Sequence, residues 1–180
     1  MDLSNIPREL HTRDLYIRPS TIEDADGLFA MLSDSESMEY WSDPPINHID
    51  EAIRVLQEDI DSDAKGNSMC WSIILNGQDK MVGKCILFNY SQKNYRAEIG
   101  YIINRDYWRR GFAQQALEAL IGFAFNTLEL HRIEADVDPE NAGSLGILEK
   151  LGFEREGLFR DRWYLSGKWV DSVMLGLLNR

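Results

Sequence analysis

The residues with the clearest chemical use lie in Tyr107-Trp108-Arg109-Arg110-Gly111-Phe112-Ala113. Two guanidinium groups stand beside a glycine, and an amphipathic helical pattern (Ala113, Ala116, Leu117, Leu120, Ala124, Leu128) opens directly after them. The first turn of a helix carries backbone N–H groups with no acceptor inside the helix, and its dipole adds partial positive charge there. A phosphate satisfies both, and glycine at 111 leaves the backbone open to close approach. Arg109 and Arg110 add charge that a pyrophosphate or a ribose phosphate can use. The same residues also read as a cationic loop before an ordinary helix, so the rest of the chain has to decide.

An apolar strand pattern over 99–103 leads through a short polar loop into this segment. Glu98, at its start, is the carboxylate nearest that strand and is placed to accept a proton directly or through a water. A strand glutamate ion-paired to Arg96 or another neighbour fits the same position. Tyr101 reads as a further candidate or as a core or cleft-wall residue.

The remaining elements must hold strand, loop and helix in place. Leu15-Tyr16-Ile17-Arg18-Pro19 alternates as a first strand stopped by proline. Thr21 and Asp24 resemble a capping box ahead of the helical spacing Ala25, Leu28, Phe29, Leu32. A loop with Trp41, Pro44 and Pro45 precedes a second helix beginning near Asp50. Two strand-like runs, 69–75 and 81–87, flank an Asn76-Gly77 turn and predict a hairpin. After the central unit, 132–137 alternates as a strand, a helix spans about 142–151, and Gly152 ends it. Two closing strands, near 154–165 and 168–178, are joined by Ser166-Gly167. The order β-α-α-β-β-β-α-β-α-β-β is an α/β arrangement with a helical crossover between two parallel strands, and a ligand belongs at their carboxyl ends.

Composition narrows the function. The 180 residues, 44% hydrophobic and 27% charged, suit one ordinary soluble domain, 1–180. A net charge of -11 argues against nucleic-acid binding and mildly favours a cationic partner. The start Met1-Asp2-Leu3-Ser4-Asn5 lacks the basic and apolar features of a secretory signal, and no apolar run reaches membrane-spanning length, so a cytoplasmic setting without membrane association is expected. Cys70 and Cys85 are expected as reduced core thiols. His11, His48 and His131 show no metal spacing, so no metal is expected. Composition assigns no oligomeric state.

The motifs Ala97-Glu98-Ile99-Gly100-Tyr101-Ile102, Tyr107 through Ala113, Arg132-Ile133-Glu134-Ala135, Asn141-Ala142-Gly143-Ser144 and Leu148-Glu149-Lys150-Leu151-Gly152-Phe153, in this order, resemble the GNAT superfamily of acetyl-CoA-dependent N-acetyltransferases, and most closely its RimJ/RimL-type ribosomal-protein branch. The resemblance runs from Leu15 through Leu178. One departure is Trp108, where the wider superfamily begins its loop with Gln or Arg; the RimJ/RimL-like branch commonly carries Trp there. The resemblance implies a mixed, mostly antiparallel twisted α/β sheet of six to seven strands with helices on both faces. It places the cofactor cleft between two splayed parallel central strands.

It further implies acetyl-CoA as cosubstrate and transfer to a primary amine; the sequence offers no Ser/His/Asp or Cys/His arrangement, so direct transfer without an acyl-enzyme is the simpler expectation. Backbone groups of Ile102 and Ile103 would pair with the pantetheine arm. Amides of Arg109, Arg110, Gly111, Phe112, Ala113 and Gln114 would bind the pyrophosphate, and Asn141 would hydrogen-bond the cofactor. Ser144 would stabilise the departing thiolate; for the base, the residues themselves offer Glu98, the carboxylate nearest the strand. Asn141 also reads as an N-cap and Ser144 as a helix-start serine. The acceptor side is implied over roughly 29–61. Asp59, Asp61 and Asp63, there or just beyond, suit attraction of a basic peptide terminus or a polyamine, and equally a solvated helix face. Arg160-Asp161-Arg162-Trp163-Tyr164 suits the other side of the cleft, and equally an ordinary strand with one wet face. The favoured acceptor is a protein N-terminus. A small amine such as a polyamine or aminoglycoside, or a non-catalytic acetyl-CoA-binding module, are the alternatives.

Overall fold

A computed structural model describes residues 6–165 and 167–180. The N-terminal stretch 1–5 and Ser166 of the closing turn therefore lie outside the described residues. One sheet contains β1 (Leu10–His11), β2 (Leu15–Pro19), β3 (Met69–Leu75), β4 (Lys80–Ser91), β5 (Arg96–Ile103), β6 (Arg132–Val137), β7 (Glu154–Leu165) and β8 (Lys168–Leu178). Their order across the sheet is β1-β2-β3-β4-β5-β6-β8-β7. The sheet has eight strands where six to seven were expected. The addition is β1, a two-residue edge strand paired to Ile17 and Tyr16, too short to leave a periodic signal.

Every pairing is antiparallel except β5 with β6. That parallel pairing covers only Arg96 to Glu98 against Arg132 to Glu134. Beyond Glu98 the two strands part, and β5 runs on to Ile103 with β4 as its partner on the other side. This fork is the splay between central strands that the resemblance implied.

Alternation along the strands separates two cores. On one face Ile99, Ile103, Ile133, Ala135 and Val137 pack with Leu117, Leu120 and Ala124 of α3 (Phe112–Asn126) and Leu145 and Leu148 of α4 (Ala142–Lys150). On the other, Ile74, Met81 and Ile102 pack with Leu28 and Met31 of α1 (Ala25–Leu32) and Ala52 and Leu56 of α2 (Ile49–Ala64). Glu98, Glu134 and Asp136 therefore share the α1/α2 face. Cys70 and Cys85 are buried free thiols. Cys85 is in register with Trp71, one residue from Cys70, so the two cysteines point to opposite faces.

The capping residues perform as their types predict, with one change. Asp24 accepts from the Thr21 amide (2.9 Å), but the turn Ile22–Asp24 is a short 3-10 segment and α1 begins after it. Asp24 also meets Arg18 (2.7 Å) and the fully buried Ser72 hydroxyl (2.7 Å), which pins α1 to β2 and β3. The acidic residues of α2 are used structurally as well: Asp59 pairs with Lys84 of β4, and Asp63 with Arg8.

Candidate active site

The fork leads directly to the anion loop. After β5 the chain makes a short 3-10 turn, Arg105–Tyr107, then the exposed residues 108–111, then α3. Gly111 is the N-cap of α3 with φ 77°, and a Cβ built there would meet nothing within 4 Å. Backbone in that left-handed region suits glycine, and the space above it is open. Gln115 N–H bonds the Gly111 carbonyl (3.1 Å), so the amides of Phe112, Ala113 and Gln114 precede the helical ladder. Arg109 also takes positive φ (60°) and has no ion-pair partner among the described residues. Arg110 instead braces the loop, donating to the Asp106 carbonyl (2.9 Å) with its guanidinium 5.1 Å from the Tyr107 ring centre. An anionic pyrophosphate fits this cradle.

Trp108 explains its departure from the wider pattern. Its indole Nε1 donates to the Ile103 carbonyl (2.6 Å), tying the loop back to the end of β5. The two strand residues expected at the cofactor differ in their availability. Asn104 N–H bonds the Val82 carbonyl (2.9 Å), which sets the antiparallel alternation and turns the backbone groups of Ile102 toward β4. The Ile102 carbonyl indeed lies 2.8 Å from where a Gly83 Cβ would stand. Ile103 presents its N–H, and Tyr101 two residues earlier both backbone groups, on the open side of the fork, the Ile103 carbonyl being taken by Trp108. Sequence alone does not give this phase.

On the opposite bank, Asn141 caps α4: its side-chain oxygen accepts from the Ser144 amide (3.0 Å), and the carboxamide N–H groups are not used by the cap. Ser144 Oγ lies 2.9 Å from the Tyr101 hydroxyl, so β5 and α4 meet across the fork through a hydroxyl pair. Burial raises the Tyr101 pKa, with Ser144 opposing, so the phenol stays protonated at neutral pH. Gln114 accepts from Lys150 (2.8 Å), linking the first turn of α3 to the end of α4.

Glu98 stands where β5 and β6 separate. Its partner is Asn89 (2.9 Å), while Arg96 pairs with Glu134, so the alternative of an Arg96–Glu98 ion pair is replaced. Burial raises the Glu98 pKa, Asp136 and Glu134 add to the rise, and Asn89 and Arg162 oppose it. A half-buried carboxylate of raised pKa at a fork is suited to taking a proton.

The two segments expected on the acceptor side are each tied to the region of the fork. Loop 33–48 is held to the anion loop by Arg105, which pairs with Glu36 (2.6 Å) and Asp34 (3.5 Å). Burial raises the Tyr40 pKa, and Glu39, Asp138 and Glu140 raise it further. From β7, Arg162 and Trp163 both reach Asp136 at 3.4 Å. The partners of Asp136, the tie of Trp108 to Ile103 and the Tyr101–Ser144 pair leave no mark in the residue types, because each depends on how the chain brings separate segments together. Among the described residues no cluster of metal-ligating side chains and no helix long and apolar enough to cross a membrane occurs.

Comparison with known proteins agrees with this geometry. Residues 14–154 match the acetyltransferase (GNAT) domain family. The chain is 39% identical to the uncharacterized N-acetyltransferase p20 of Bacillus licheniformis over 95% of its length and 96% of that protein's. It is 25% identical to the spermidine N(1)-acetyltransferase of Vibrio cholerae, over 78% of this chain and 79% of that one. Among solved structures, a putative ribosomal-protein-serine acetyltransferase from Vibrio cholerae superimposes with a TM-score of 0.84 at 27% identity, covering 96% of this chain and 98% of the other. Fork, glycine-capped anion cradle and matched family together place the chain in the GNAT family of N-acetyltransferases.

Proposed function

We propose that this acetyltransferase passes the acetyl group of acetyl-CoA directly to the α-amine of a protein N-terminus, of the ribosomal-protein type. The observation that carries the reading is the arrangement around one fork: Glu98 where β5 and β6 part, the Tyr101–Ser144 hydroxyl pair (2.9 Å) between β5 and α4, and the open cradle at Gly111 that follows β5. Acetyl-CoA supplies an acyl group activated as a thioester. Amides of Phe112, Ala113 and Gln114, with Arg109, hold the pyrophosphate. The Ile103 N–H on the open edge of β5 polarises the acetyl carbonyl. Asn141 donates its unused carboxamide N–H to the cofactor.

Glu98 takes the proton of the attacking amine, and the Ser144 hydroxyl, backed by Tyr101, gives a proton to the departing sulfur. The new amide N–C bond forms as the C–S bond breaks. An α-amine titrates near about 7.7–8.0 against about 10.4 for lysine, so a single carboxylate of modestly raised pKa is sufficient help. The ribosomal-type structural neighbour supports this acceptor. The spermidine-acetylating relative supports a small-amine reading as the alternative. The buried free thiols support a cytosolic setting.

The test is thiol release from acetyl-CoA against peptides of varied N-termini, polyamines and aminoglycosides, with mass spectrometry locating the acetyl group. Acetylation at a peptide α-amine is the expected result. Transfer confined to small amines overturns the acceptor, and cofactor binding without any transfer overturns the activity.

A further inference from the structure

We propose that Asp136 is a positioning residue for the acceptor, anchoring the aromatic wall of β7 to the fork and keeping negative charge beside Glu98. Its second part rests on the reading of Glu98 as base. Asp136 lies two residues past Glu134, the last β6 residue paired to β5, so it stands at the mouth of the fork. Its side chain is only 9% exposed. It accepts from the Ser172 hydroxyl of β8 and from the Trp163 indole, and it pairs with Arg162.

The backbone of β7 is built to bring these partners inward. Its register against β8 slips between Phe159 and Trp163, Asp161 takes φ 52°, and the Asp161 amide is held by the Asp171 carboxylate (2.9 Å). Such a bulge re-aims the side chains that follow it. Here they are Arg162 and Trp163, turned to Asp136, with the Arg162 guanidinium 5.6 Å from the Phe159 ring centre and 5.3 Å from that of Trp163. Phe159 and Trp163 remain 47% and 41% exposed, a wall with one anchored edge and one face toward solvent. An exposed aromatic pair beside a carboxylate suits the chain that follows a cationic amine.

Charge around Glu98 comes from Glu134 and Asp136 on β6 and Arg162 on β7, with neutral Asn89 on β4. D136N keeps an oxygen for Ser172 and Trp163 but removes one negative neighbour and leaves Arg162 without its counter-charge. Both changes favour ionised Glu98, so the acidic limb of the kcat/KM profile moves to lower pH. W163F and D136A each detach the wall. In each, KM for the acceptor peptide rises about 2–10-fold, the scale of one ordinary hydrogen bond, while acetyl-CoA affinity stays that of the wild type. The D136A/W163F double variant costs no more than the larger single change, because both cut one linkage.

Acceptor KM unchanged in both D136A and W163F overturns the anchoring. An acidic limb that E98Q abolishes but D136N leaves in place overturns the charge effect while the base assignment stands. A limb that survives in E98Q overturns the base assignment itself, and the KM series then decides the anchoring alone.

Discussion

Replacing Gly111 separates folding from cofactor binding. At φ 77° the backbone lies in the left-handed region, and the space above the Cα is empty to 4 Å. A Cβ there meets no steric neighbour, yet the backbone conformation costs a valine about 1–2 kcal/mol. In a protein of this size that is a Tm drop of about 2–8 °C. Asparagine tolerates the same conformation through its short polar side chain, so G111N melts close to the wild type. Either side chain, however, fills space that glycine leaves open at the start of α3, where the proposed pyrophosphate approaches the amides of Phe112, Ala113 and Gln114. Loss of one hydrogen bond from these amides to a charged phosphate is worth about 1.5–3 kcal/mol, or about 10–100-fold in affinity. Paired thermal melts and calorimetric titrations with acetyl-CoA measure the two effects independently. The decisive variant is G111N: near-native Tm with affinity lowered about 10-fold or more is the expected outcome. Wild-type affinity in G111N refutes the cradle, because the same substitution then leaves both fold and binding untouched.

Other residues give equally direct outcomes. E98Q is expected to lower kcat about 100-fold or more, the ordinary contribution of a general base, and to remove the acidic limb of the pH profile. In the wild type that limb lies above the usual glutamate range, since burial raises the Glu98 pKa. S144A is expected to lower kcat while acetyl-CoA affinity is retained, and Y101F to reproduce part of the loss; steady-state kinetics with a titration of each variant checks both. Asp24 supplies a stability test. Burial pushes its pKa up, but Arg18, the Thr21 amide and Ser72 together outweigh this and the net shift is downward. Its contribution is therefore present above the ordinary aspartate pKa and is lost as pH falls through the lower folded value. D24A is expected to cost about 3 kcal/mol at neutral pH, by stranding Arg18, and to flatten the acid end of a denaturation series measured from neutral to strongly acidic pH.

What could be read from the sequence was local. The Gly111 cradle is six or seven consecutive residues whose chemistry follows from a helix start, and the Asn76-Gly77 turn announces its own hairpin. Asn141 capping α4 is equally a short-range matter. Properties set by register were hidden. Whether Ile102 or Ile103 opens toward the fork depends on which residue of β5 first bonds β4, a phase that residue types do not encode. The acidic run of α2 invited a role in attracting cations, but Lys84 and Arg8, 25 and 55 residues away along the chain, take up Asp59 and Asp63. Asp136 looked like any polar position of an alternating strand. Its partners on β7 and β8 arrive there only because a bulge turns them inward.

The most direct test of the central claim is a crystal structure of the protein with bound CoA. The pyrophosphate is expected within hydrogen-bond distance of the amides of Phe112 to Gln114, and the thiol between the Ile103 edge of β5 and Ser144. CoA bound away from the β5–β6 fork, or a pyrophosphate that avoids the start of α3, contradicts that claim.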